Sequence, residues 1–262
     1  MQFRPLVSLP RLPSPNPALP AGAWNLRWPD LRSRYYASHL WWPLLAFLGA
    51  MGVLMGLHGD FLVADAVYAL EGHAWSLQSG YLTQDVLHAA GRQASKNAWF
   101  AMFLLLGVAL VLRQGRPWRR PLLYLLLATG LSTAMVGLLK RWTHMDCPWD
   151  LLRYGGGKAY YGLLSLRPAL PRASGCFPAG HASAGYAWVA LYFAFRSTCP
   201  RLRGWGLGVP LAIGLVFGIA QQLRGAHFLS HDIAALMVSW LVALFLARPM
   251  LADGRVLPAV AS

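Results

Sequence analysis

Six long apolar runs set the terms for this chain. They cover roughly Ser38–Leu57, Asn97–Leu112, Pro121–Leu139, Ala182–Phe195, Trp205–Ala220 and Ile233–Ala247. A helix that crosses the hydrocarbon core needs about 20 mostly apolar residues. Its backbone polar groups must be satisfied inside the segment, which leaves helices as the economical solution for separate runs. The runs therefore predict an all-α, polytopic membrane protein with six transmembrane helices. The fourth and sixth are short, so their helices are expected to extend into the polar stretches beside them. Composition agrees, with 56% hydrophobic and 12% charged residues among 262. One membrane domain over residues 35–250 then accounts for most of the chain. It lies between a Pro- and Arg-rich tail at 1–34, expected to be disordered, and a short tail at 251–262.

The net charge of +14 is compatible with nucleic-acid binding, but its distribution argues for a bilayer. The N-terminal tail, the Arg113–Arg120 loop, the Arg196–Arg203 loop and the C-terminus hold fourteen of the 23 basic residues and only Asp30 and Asp253 as acids. The positive-inside rule puts these segments, and so both termini, in the cytoplasm. Seven of the eight histidines and all three lysines then fall on the outer side. No nucleic-acid partner is expected, and the sequence names no protein partner. Cys147 and Cys176 share the outer side, where an oxidising periplasm permits a disulfide between them. Cys199, on the inner side, is read as a free thiol.

Between the first and second spans, residues 58–96 carry apolar positions at helical spacing (Phe61, Leu62, Val67, Tyr68, Leu70, Trp75) among Asp60, Asp65 and Glu71. This predicts amphipathic helices at the outer, periplasmic interface. Asp85, His88 and Arg92 are assigned to a second such piece, in a structural role.

Three polar islands interrupt the apolar pattern on the outer side: Lys140–Pro148, Pro178-Ala179-Gly180-His181, and Arg224–Asp232. Ionisable groups at membrane depth are expensive and point to function. Pro-Ala-Gly ahead of a helix offers free backbone N–H groups and the positive end of a helix dipole to an anion. Lys140 adds charge, His181 a proton and His227 a second candidate for chemistry on the same anion. Together they describe a phosphate site in which one histidine attacks and the other protonates the leaving oxygen. The Cys and His spacings match no common zinc motif, and neither metal nor cofactor is expected.

These residues resemble the type 2 phosphatidic acid phosphatase family, membrane lipid phosphatases related to vanadium haloperoxidases. That family carries Lys-x6-Arg-Pro, Pro-Ser-Gly-His and Ser-Arg-x5-His-x3-Asp. The resemblance covers about residues 52–247, with the three motifs in order. It implies a six-helix bundle with its site at the periplasmic mouth and a phosphohistidine intermediate. By position, Lys140 binds phosphate, Gly180 and His181 form the second motif with His181 as general acid, and His227 is the nucleophile.

The chain departs from these motifs. Cys147 stands at the first-motif arginine, Ala179 at the second-motif serine, and Ala220-Gln221 at Ser-Arg of the third. His231 sits four residues after His227, where the family has aspartate, and Asp232 one further on. Either can orient His227, with Asp232 favoured as the better stabiliser of an imidazolium. Arg224, Arg153 or Arg141 are candidates for the missing guanidinium groups. The substrate implied is a lipid phosphate or pyrophosphate at the outer face of a bacterial inner membrane. A lipid-to-lipid phosphotransferase, or a lipid-binding or transport protein on the same scaffold, are the alternatives.

Overall fold

The structure, a computed structural model, describes residues 33–163, 165 and 174–251. The expectations for the two terminal tails therefore lie almost wholly outside the described residues. Seven helices carry the fold among those residues. They are α1 (Arg34–Gly56), α2 (Gly59–Leu70), α3 (Tyr81–Val111), α4 (Arg119–Thr143), α5 (183–198), α6 (Arg203–Leu223) and α7 (Leu229–Leu251). No strand forms among the described residues, and a lone bridge joins Leu151 to Lys158.

Five helices are long and apolar enough to cross a membrane: α1, α3, α4 with its flanking turns, α6 and α7. The fourth expected span is helical as α5, but its consecutive pieces of 4, 3 and 9 residues fall short of that length. Pro178-Ala179-Gly180 holds the chain in turns until Ser183, and Cys199-Pro200 ends the helix on the other side.

The segment before the second span differs from expectation. Instead of a separate interfacial helix around Asp85–Arg92, residues Tyr81–Val111 form one helix of 31 residues. At 1.5 Å per residue it is about 46 Å long, well beyond the hydrocarbon core. No proline or turn divides the polar half from the apolar half, so helix propagation carries His88 and Arg92 into line with the span.

The core lies where α4, α5 and α7 meet. Tyr124, Leu125, Ala128, Val189, Ala190, Phe193, Ala243 and Leu244 interdigitate there. The Tyr124 hydroxyl donates to the Ala243 carbonyl at 2.9 Å, satisfying a polar group that is fully buried. Small residues on α4, α5 and α7 (Ala128, Ala190, Ala243) let these backbones approach, as in membrane bundles generally. Leu45 and Leu48 on α1 and Phe103 and Leu104 on α3 point outward and exposed, as lipid-facing positions must.

At the opposite end from the Arg113–Trp118 turn, a second cluster packs Ala64, Leu151, Tyr154 and Phe228, with Tyr68 and Trp75 against it. This cluster fastens α2 over the α6–α7 turn. Asp60 on α2 contributes a polar tie, accepting the Ser230 backbone N–H at 2.9 Å. A carboxylate at the start of α7 suits the helix dipole, and burial in turn raises the Asp60 carboxyl above its usual range.

Candidate active site

The end of α4, the turn before α5 and the α6–α7 turn converge. Lys140 lies in the last turn of α4, Gly180 and His181 lead into α5, Gln221 closes α6, and His227 sits between α6 and α7. All five line one cavity of about 830 Å³. Remote in sequence, the three polar islands are one site in space.

Gly180 lets Lys140 lie close to this turn. A Cβ there would stand 3.3 Å from Lys140 Nζ and 3.5 Å from its Cδ. Without one, the ammonium lies against the turn that carries His181. Ala179 does not face the cavity. Its side chain is fully buried in a cluster with Val136, and its N–H donates to the His231 carbonyl at 2.9 Å. That N–H is therefore not free to bind substrate, because it secures the turn to α7.

His227, two residues before α7, meets His231 in its first turn, Nδ1 to Nδ1 at 3.4 Å. His231 is fully buried and also stacks edge-on against Phe177 and Phe228. Asp232, the favoured orienting group, turns away from His227. Its Oδ2 accepts from Gln222 Nε2 at 2.6 Å and lies so close to α6 that a Cβ on Gly218 would come within 2.6 Å of it. His231 and Asp232 are consecutive residues of α7, which begins at Leu229, so their side chains leave it about 100° apart and Asp232 faces α6. Burial, and then the nearby His231, Lys140 and His181, hold the His227 imidazole well below its usual range. A neutral ring is the nucleophilic form.

His181 is held between two rings, His88 at 4.6 Å and Phe217 at 4.8 Å between centroids. Its Nε2 donates to the Leu87 carbonyl at 2.9 Å, which assigns the proton to that nitrogen. The other nitrogen, Nδ1, is buried and has no partner among the described residues. Burial pushes the His181 imidazole down to about 4.

The candidate arginines sit elsewhere. Arg224 donates through Nε to the Gln78 carbonyl at 2.7 Å and through Nη1 to Gln221 Oε1 at 3.0 Å, beneath Trp149. It holds Gln221 in place, and Gln221 itself reaches the cavity. Arg153 is not brought to the histidines. It forms a bidentate pair with Asp65 on α2 and lies over the Phe61 ring. Asp65 accordingly falls below the usual carboxylate range, chiefly through the Arg153 hydrogen bond. Cys147, at the first-motif arginine position, is bonded to Cys176, with Cα atoms 5.4 Å apart.

Three further groups line the cavity from α3: His88, Arg92 and Lys96. The sequence reading assigned His88 and Arg92 a structural role and gave Lys96 none. Their spacing of four residues, which places all three on one helical face, was the available signal. It goes unnoticed if Tyr81–Ala90 and the second span are read as separate helices.

The PAP2 superfamily model matches residues 121–254, half of the chain. The chain belongs to the PAP2 superfamily. No curated protein matches it, and no solved structure does. PAP2 members are phosphatases, and all three motif remnants fall inside the matched stretch. The PAP2 match begins at Pro121, so His88, Arg92 and Lys96 lie outside it.

Proposed function

We propose that the protein is an integral-membrane phosphatase that hydrolyses a lipid phosphate or pyrophosphate through a phosphohistidine intermediate. The observation that carries this reading is the meeting of Lys140, His181 and His227 on a single cavity that Trp99, Phe100, Ala134 and Trp188 also line. A cationic, histidine-lined end suits a phosphate, and an aromatic end suits an acyl or prenyl tail. In this reading α5 also crosses the membrane, as the fourth of six spans. The site opens on the periplasmic side of a bacterial inner membrane, and both termini are cytoplasmic, in keeping with the basic inner loops.

In the first step His227 attacks phosphorus. Its Nδ1 faces His231, which leaves Nε2 for the new N–P bond. Lys140 neutralises the phosphoryl oxygens as charge builds on them. The P–O bond breaks, and its electron pair leaves with the lipid oxygen, which takes a proton from solvent beside His181, balanced by the proton that water gives up in the next step. Water then attacks phosphorus, releasing inorganic phosphate and restoring the ring. The step requires no group beyond these side chains and water.

The test is phosphate release by purified protein across a panel of lipid phosphates. His227→Ala is expected to lower turnover by at least about 10⁴-fold, as for removal of a nucleophile, with the protein still folded. Vanadate is expected to inhibit the wild type by occupying the trigonal-bipyramidal geometry. Full activity of folded His227→Ala protein would remove the nucleophile.

A further inference from the structure

The cavity carries more cationic capacity than one phosphate uses. Lys140 serves the histidine end. Arg92 and Lys96 add two cations on α3, one turn apart, with His88 a turn before them. Four residues of helix rise about 6 Å. No Asp or Glu lines the cavity, and among the described residues neither Arg92 nor Lys96 pairs with a carboxylate. The Gln221 side chain, buried at 2% exposure, brings an Nε2 donor without a partner to the same cavity. Unpaired donors and cations around one space define an acceptor-shaped vacancy for anionic oxygens.

The order along α3 gives this charge a direction. His88 lies beside His181, Arg92 and Lys96 follow, and Trp99 and Phe100 come next. An occupant that runs from the histidines toward the aromatic wall meets cations again before it meets apolar surface.

We propose that Arg92 and Lys96 form a second anion subsite, which takes the leaving group of a lipid diphosphate. This rests on the phosphatase reading above and names its substrate class. The terminal phosphate sits at Lys140 and His227, the tail-side phosphate at Arg92 and Lys96, and the tail between α3, α4 and α5. Attack by His227 forms the N–P bond to the terminal phosphorus. It breaks the bond from that phosphorus to the bridging oxygen, which keeps the electron pair and leaves as the lipid monophosphate. Water then cleaves the phosphohistidine to inorganic phosphate, its surplus proton passing to solvent. A phosphate leaving group needs charge neutralisation more than it needs a proton. That suits a site where the His181 Nε2 proton is committed to the Leu87 carbonyl. The bland alternative, in which both side chains only reach for the interface, predicts no preference for a second phosphate.

The experiment compares farnesyl diphosphate with farnesyl monophosphate, using the full-length protein in detergent micelles. Wild type is expected to favour the diphosphate in kcat/KM by at least about tenfold. Arg92→Gln and Lys96→Gln are each expected to cut that preference by about tenfold, and Arg92→Lys to restore part of it. A wild-type preference near one, or variants that lower both substrates in proportion, would overturn the subsite. A binding arm uses the non-hydrolysable farnesyl methylenediphosphonate and farnesyl phosphonate. If wild type cleaves neither substrate yet binds the diphosphonate about tenfold tighter, the phosphatase reading fails and the subsite stands. If it binds the two alike, the subsite fails whatever the enzyme hydrolyses.

Discussion

His227, just before α7, and His231 in its first turn face each other Nδ1 to Nδ1 at 3.4 Å, while Asp232 points at Gln222 on α6. The side chain that faces Nδ1 of the proposed nucleophile is thus an imidazole. Replacing His231 with alanine is expected to lower kcat by about a hundredfold, the scale of a lost acid–base partner. Asp232→Asn keeps an acceptor for Gln222 and is expected to lower the melting temperature more than kcat. Steady-state phosphate release on the two folded variants decides between them. The reverse order would return the orienting role to Asp232.

Lys140 rests on Gly180 because no Cβ intervenes. Gly180→Ala is expected to displace the ammonium and raise KM by about tenfold, roughly 1.4 kcal/mol of phosphate binding. Vanadate inhibition should weaken in parallel. An alanine variant that matches wild type in both measurements would show that Lys140 does not depend on this contact.

Arg153 and Asp65 form an ion pair with side-chain exposures of 53% and 38%. Exposed pairs contribute about 0–1 kcal/mol, so Arg153→Gln should change kcat/KM by less than about threefold. A loss of a hundredfold or more would restore Arg153 to the phosphate site, against the geometry.

Acid should destabilise the fold through His181. In the unfolded chain its ring takes a proton below 6.5, and in the fold only below about 4. Between those values the unfolded state binds more protons, so stability falls as pH drops through the window. His227, lowered in the same direction, adds to this slope. Thermal melts of His181→Asn should show a shallower decline than wild type from pH 6.5 down to about 4. Identical slopes would mean that His181 is not held neutral by the fold.

Much of this molecule was legible in one dimension. The apolar runs specify helices because a bilayer leaves a separate segment no other way to satisfy its backbone. The order of Lys140, His181 and His227 specified the family and the three islands. The charge asymmetry put Cys147 and Cys176 on one side as possible partners, and the structure bonds them. Turn-scale geometry was legible too, because i+4 favours His231, although the chemical preference for a carboxylate pointed to Asp232.

What only the tertiary structure decided is which neighbours each polar group meets. Arg153 found Asp65, the Ala179 N–H found the His231 carbonyl, and Arg224 found the Gln78 carbonyl, each pair remote in sequence. The continuity of α3 was likewise a packing outcome, and it brought His88, Arg92 and Lys96 to the cavity. Periodicity fixes the face on which a side chain stands. The facing element is set by how whole helices pack, and that depends on every contact in the bundle at once.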